Sequence, residues 1–115
     1  MKRLIALVLA AGSLSAAAGA QQGGEQRTLT GVITDQMCAG VGHQAMRMGP
    51  TDAECARMCV LAHESSFVLE VAKDDVYTFT ATDKVEPLAG QRVRVTGKVD
   101  AKAKVIAIES IAATR

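Results

Sequence analysis

The sequence has few of the residues on which several common functions depend. It has no Trp, one Tyr and two Phe. Single-stranded nucleic acid is usually gripped on aromatic stacking platforms, and Tyr77 is the one platform this chain offers. Charge of either sign is not in excess: thirteen Lys and Arg stand against twelve Asp and Glu. That balance gives no long-range attraction toward nucleic acid or an anionic membrane. The row Arg92, Arg94, Lys98 therefore reads as a solvated strand face. No C-x-x-C or C-x-x-C-H occurs, which argues against thioredoxin-like redox chemistry and covalent haem attachment. A nucleophilic Cys beside a His would need a third, orienting group, and none stands out, so an enzyme is not expected. No apolar run is long enough to span a bilayer. With so few aromatics the core must rest on Val, Ile, Leu and Ala. A small core of that kind often needs a disulfide or a metal as a staple.

What the chain does have begins with an export pattern. Lys2 and Arg3 form a charged start, Leu4 to Ala11 an apolar segment, and Ala18-Gly19-Ala20 a small-x-small cleavage signal. Residues 1–20 are expected to be a signal peptide, and the protein periplasmic or secreted. No cysteine sits at the cleavage point to carry a lipid. The mature chain, one domain at most, would then hold one more acidic than basic residue and no membrane span. Residues 21–26 (QQGGEQ) read as a disordered tail, and 27–115 as the domain.

Within it, strands alternate with turns. Residues 27–35 place Leu29, Gly31 and Ile33 on one face and Thr28, Thr30, Val32 and Thr34 on the other. Gly31 within a strand signals a bulge or a close backbone approach. Residues 66–72 and 76–81 form strands joined by Lys73-Asp74-Asp75, a hairpin-like connection. Residues 82–90 make a turn or short helical piece. Residues 91–99 alternate Val93, Val95 and Val99 with Arg92, Arg94, Thr96 and Lys98, and 105–112 supply the last strand. Five short strands with a small helical piece between the third and fourth match the order of an OB barrel. The expected fold is mainly β: a small five-stranded OB-like barrel with a Cys-bearing helical insert, 36–64, between the first two strands.

That insert holds the unusual chemistry. All three cysteines, both histidines and four of the five methionines lie between Met37 and His63. Residues 36–50 have no clean period and read as a loop punctuated by Gly40, Gly42, Gly49 and Pro50. Thr51-x-x-Glu54 is a capping box that starts a helix running to about His63.

The mature chain resembles a family of small secreted bacterial proteins of unknown function with an expected OB-like barrel. The resemblance rests on Gly31-Val32-Ile33-Thr34-Asp35-Gln36-Met37-Cys38, Met48-Gly49, Thr51 to Cys59, Tyr77 and Leu88 to Gly97. Its specific parts are D-x-x-C and C-x3-C. It implies a fold and an exported location, and no activity.

Outside the cytosol, thiols tend to pair or to hold a metal, and an odd count leaves disulfides one short. Cys55 and Cys59 share a helix face. If the loop folds back, Cys38, His43, Cys55 and Cys59 converge as three thiolates and an imidazole, a donor set suited to zinc. Met37, Met46, Met48 and Met58 add soft thioethers and raise copper(I) as the alternative. Two plainer readings compete. In one, Cys55, Met58, Cys59 and Ala62 are simply the core face of the helix. In the other, a Cys38–Cys55 or Cys38–Cys59 disulfide closes a loop of about 18 to 22 residues and stabilises by around 3 kcal/mol. His43, in a flexible Gly-flanked loop, is a better ligand than His63, which suits the helix dipole. Asp35 can orient a histidine, although a turn-forming Asp at a strand end is commoner. The expected function is an exported binding module with a Cys/His site. The alternative is a disulfide-stapled OB domain that contacts protein, peptide or oligosaccharide.

Overall fold

A computed structural model describes residues 24–114. The expected signal peptide at 1–20 and the tail residues 21–23 lie outside the described residues. Five strands close into a barrel: β1 (Glu25–Asp35), β2 (Phe67–Ala72), β3 (Asp75–Phe79), β4 (Arg92–Asp100) and β5 (Val105–Ala113). The order around the barrel is β1-β2-β3-β5-β4, with every pair antiparallel except β3 with β5. Helix α1 (Asp52–His63) lies between β1 and β2, and a single 3-10 turn, Glu86–Leu88, lies between β3 and β4. This is the OB-like barrel with a helical insert that the strand count and order predicted. The first strand starts at Glu25, inside the stretch expected as a tail, because Glu25 and Gln26 pair with Val99 and Lys98.

The alternation along each strand sorts the two faces. In β4, Val93, Val95 and Val99 are buried while Arg92, Arg94 and Lys98 are exposed. In β1, Ile33 joins Leu69 of β2, Tyr77 of β3 and Ile106 of β5 in the core. Gly31 makes the close approach its position suggested. A side chain there would place Cβ 2.5 Å from the Glu70 carbonyl oxygen, so only Gly lets β1 and β2 lie so near. β2 and β3 are joined by a two-residue turn, with Ala72 paired to Asp75.

Helix α1 covers the end of the barrel at which β1 finishes. Thr51 caps it: its hydroxyl oxygen accepts from Glu54 N–H at 3.2 Å. The Glu54 carboxylate takes the hydroxyl proton of Thr51, not its backbone N–H, so the box closes through the two side chains. Glu64 ends the helix in the left-handed region. Arg57 donates to the Glu86 carbonyl and ties the helix to the β3–β4 connection. The buried stripe is Cys55, Ala56 and Cys59, and Met58 and Ala62 are exposed. The expectation that Met58 and Ala62 share the core face is therefore corrected. The stripe is rotated because the barrel takes Ala56 and Val60, while Cys55 and Cys59 face the loop before the helix. One helix thus serves two neighbouring clusters through adjacent i, i+4 rows.

Candidate metal centre

The site begins where β1 ends. Asp35 is fully buried. Its Oδ1 accepts from the backbone N–H of Met37 at 3.0 Å and of Cys38 at 3.2 Å, and from the Ser65 hydroxyl at 3.4 Å. The Asp35 carbonyl also accepts from Ala39 N–H at 3.0 Å. These bonds turn the chain sharply out of the strand and point Cys38 inward. The following loop is held against the barrel. Gly40 N–H donates to the Glu70 carboxylate at 2.9 Å, and Thr34 Oγ1 bonds to His43 Nε2 at 3.1 Å. Thr34 and its cross-strand neighbour Val68 sit on the outer face of the sheet, yet both are buried. The bond from Thr34 to His43 shows that the insert lies over this face. Later in the loop, Cys55 Sγ accepts from Met48 N–H and donates to the Met46 carbonyl, each at 3.2 Å.

Cys38, Cys55 and Cys59 form their own buried cluster, each at 1 % exposure or less, with Met48 packed against it. All three are free thiols. The Cys38–Cys55 and Cys38–Cys59 staples are not formed, although Cys38 Sγ lies within 4.8 Å of each partner sulfur. The loop is anchored without them, through the turn at Asp35, the Thr34–His43 bond and the hydrogen bonds at Cys55.

The potential ligand atoms fall into two sets. Cys38, His43 and Cys55 have donor atoms within 4.8 Å of one another, and so do Asp35, Cys38 and Cys59. Of the expected ligands, Cys38, His43 and Cys55 come together, and Cys59 joins them through Cys38. Asp35 is the addition. Oδ1 makes the turn, while Oδ2 is buried without a hydrogen-bond partner. His43 Nδ1 is likewise buried and unpartnered. Native proteins rarely leave such atoms unsatisfied, and coordination to a cation satisfies them as well as a hydrogen bond does. His63 is exposed at the last turn of α1. Met37, Met46 and Met58 are each about two-fifths exposed, so Met48 is the one thioether packed on the thiols.

The electrostatics favour neutral thiols at Cys38 and Cys59. Burial, followed by the adjacent negative Asp35 carboxylate, pushes the Cys38 thiol far above the ordinary range. Burial and the Asp35 charge push Cys59 the same way. A bound cation reverses that balance, since it stabilises thiolate directly.

Residues 59–114 match the family described as a protein of unknown function (DUF5818). The match begins at Cys59 and takes in the end of α1 and strands β2 to β5; Asp35, Cys38, His43 and Cys55 lie outside it. No curated protein matches the chain, and no solved structure does. No helix among the described residues is long and apolar enough to cross a membrane.

Proposed function

We propose that this chain is a small exported metal-binding module. In this reading Cys38, His43 and Cys55, with Cys59 beside them, hold a thiophilic cation, zinc in the first place. The observation that carries it is His43 Nδ1: a buried imidazole nitrogen without a partner, beside two buried unpaired thiols. Its Nε2 is committed to Thr34, which fixes the ring and leaves Nδ1 to coordinate. This is how ligating histidines are commonly oriented. Thiolate and imidazole together suit zinc. Copper(I) would use the same thiolates with help from Met48. The ion ties the loop to α1 over the barrel end. The role is binding, in keeping with the burial of the three thiols. Export is part of the proposal and rests on the N-terminal pattern.

The test is metal analysis and a thiol count on protein taken from the periplasmic fraction without chelator. The expected result is bound zinc, with thiols that resist modification until a chelator is added. Copper in place of zinc would change the ion and keep the site. Protein without metal, whose thiol reactivity a chelator leaves unchanged and which takes up neither zinc nor copper(I) when reduced, would overturn the reading. A mature N-terminus at Gln21 in that fraction checks export, and a chain kept in the cytosol refutes it.

A further inference from the structure

The donors around the thiols form two overlapping sets, and each set has the same composition problem. The first, Cys38, His43 and Cys55, includes the residue whose Nδ1 is unpartnered. The second, Asp35, Cys38 and Cys59, includes the residue whose Oδ2 is unpartnered. Among the described residues these are the two buried side-chain nitrogen or oxygen atoms without a hydrogen bond. One ion in the first set would satisfy His43 and leave Asp35 Oδ2 as it was. Cys38 is the member common to both.

Charge points the same way. One dication on the Cys38 and Cys55 thiolates with His43 is neutral, and it leaves the fully buried Asp35 carboxylate uncompensated. Uncompensated charge in a buried site is costly. Two dications against three thiolates and one carboxylate are neutral. Reach is adequate as well. Three atoms no more than 4.8 Å apart always share a point within about 2.8 Å of each, and small side-chain rotations close that to the ordinary Zn–S length of about 2.3 Å. A thiolate sulfur has lone pairs for two metals.

We propose that the insert holds a binuclear thiolate centre for two divalent cations of the zinc type, bridged by Cys38 Sγ. One ion sits on Cys38, His43 and Cys55, and the other on Asp35, Cys38 and Cys59. The proposal rests on the metal-binding reading above and adds the second ion, the bridge and Asp35 as a ligand. Loading releases the three thiol protons to solvent. Water completes the coordination of each ion.

The experiment uses the full-length mature protein, reduced, stripped of metal and titrated anaerobically with zinc(II), and with cobalt(II) as a spectroscopic substitute. Retained zinc is read after desalting. About two equivalents per chain are expected. Asp35→Asn keeps an acceptor for the turn and should lower this to about one, as should His43→Ala; Cys38→Ser should lose both. In the unaltered protein, the cobalt(II) paramagnetic signal per ion should fall as the second equivalent binds, because a thiolate bridge couples the two spins. That readout needs no variant and stands if one fails to fold. A single equivalent in the unaltered protein, or two whose signals never couple, overturns the bridged pair. In the first of these cases the single-ion reading survives. No retained metal at all sinks both.

Discussion

Cys38→Ser is the most informative perturbation, because Cys38 belongs to every donor set while His63 belongs to none. Without metal the change is modest. A fully buried sulfur is exchanged for a smaller hydroxyl beside Asp35, and such a change costs about 1 kcal/mol. With metal the effect is large. A ligand at one hundred times its Kd stabilises the native state by about 2.7 kcal/mol. A domain of this size shifts its melting temperature by about 4–8 °C per kcal/mol. Zinc should therefore raise the Tm of the unaltered protein by roughly 10–20 °C. That figure is a ceiling, since thiols of the unfolded chain also take zinc. The assay is scanning calorimetry under a phosphine reductant, with either a chelator or a zinc buffer. Cys38→Ser should melt about 4–8 °C below the unaltered protein in chelator and lose most of the zinc-dependent rise. His63→Ala, at an exposed position, should keep the whole rise. An equal zinc response in Cys38→Ser, or its loss in His63→Ala, would refute the reasoning.

Two further variants test the support beneath the site. Gly90 has φ +78 and its Cβ would meet the Ala53 backbone nitrogen at 2.7 Å; Gly90→Ala should destabilise by more than the ~1 kcal/mol of left-handed strain alone, read by urea unfolding, and should weaken zinc retention because it pushes on the first turn of α1. Thr51→Ala removes the N-cap hydroxyl and should cost about 1 kcal/mol in the same unfolding assay, with the zinc stoichiometry unchanged.

Much of the fold was legible because strand alternation is a local signal. Val93, Val95 and Val99 announced the wet and dry faces of β4, and Gly31 announced a close approach that the structure places at Glu70. The capping box marked the helix start at the right residue. The helix face was harder. Cys55 and Cys59 lie on one stripe in any helix, but whether Met58 or Ala56 joins them depends on how the helix is rotated over the barrel, which is a tertiary choice. Asp35 was visible as a turn former and hidden as a donor. Its two oxygens have separate surroundings, and a sequence assigns only one environment to one residue. The division of donors between His43 and Asp35 was likewise out of reach, because it follows from the turn after β1 and the seat of the loop on Thr34.

The turn at Asp35 also bears on how the site is loaded. Asp35 pairs with Phe67 as the last residue of β1, so the barrel itself fixes the place where the insert departs. Oδ1 then sets the direction of Met37 and Cys38, Thr34 sets the imidazole of His43, and Ala56 seats the helix that carries Cys55 and Cys59. The turn, the imidazole and the helix are thus positioned by contacts with the barrel. In small zinc folds the ion supplies the folding energy and the metal-free chain is unfolded. Here the ordering entropy of the donors is already offset by barrel packing. An ion bound as proposed would therefore meet a preformed site and spend little of its binding free energy on organising the chain. The proposed module could thus exchange its metal while the fold persists.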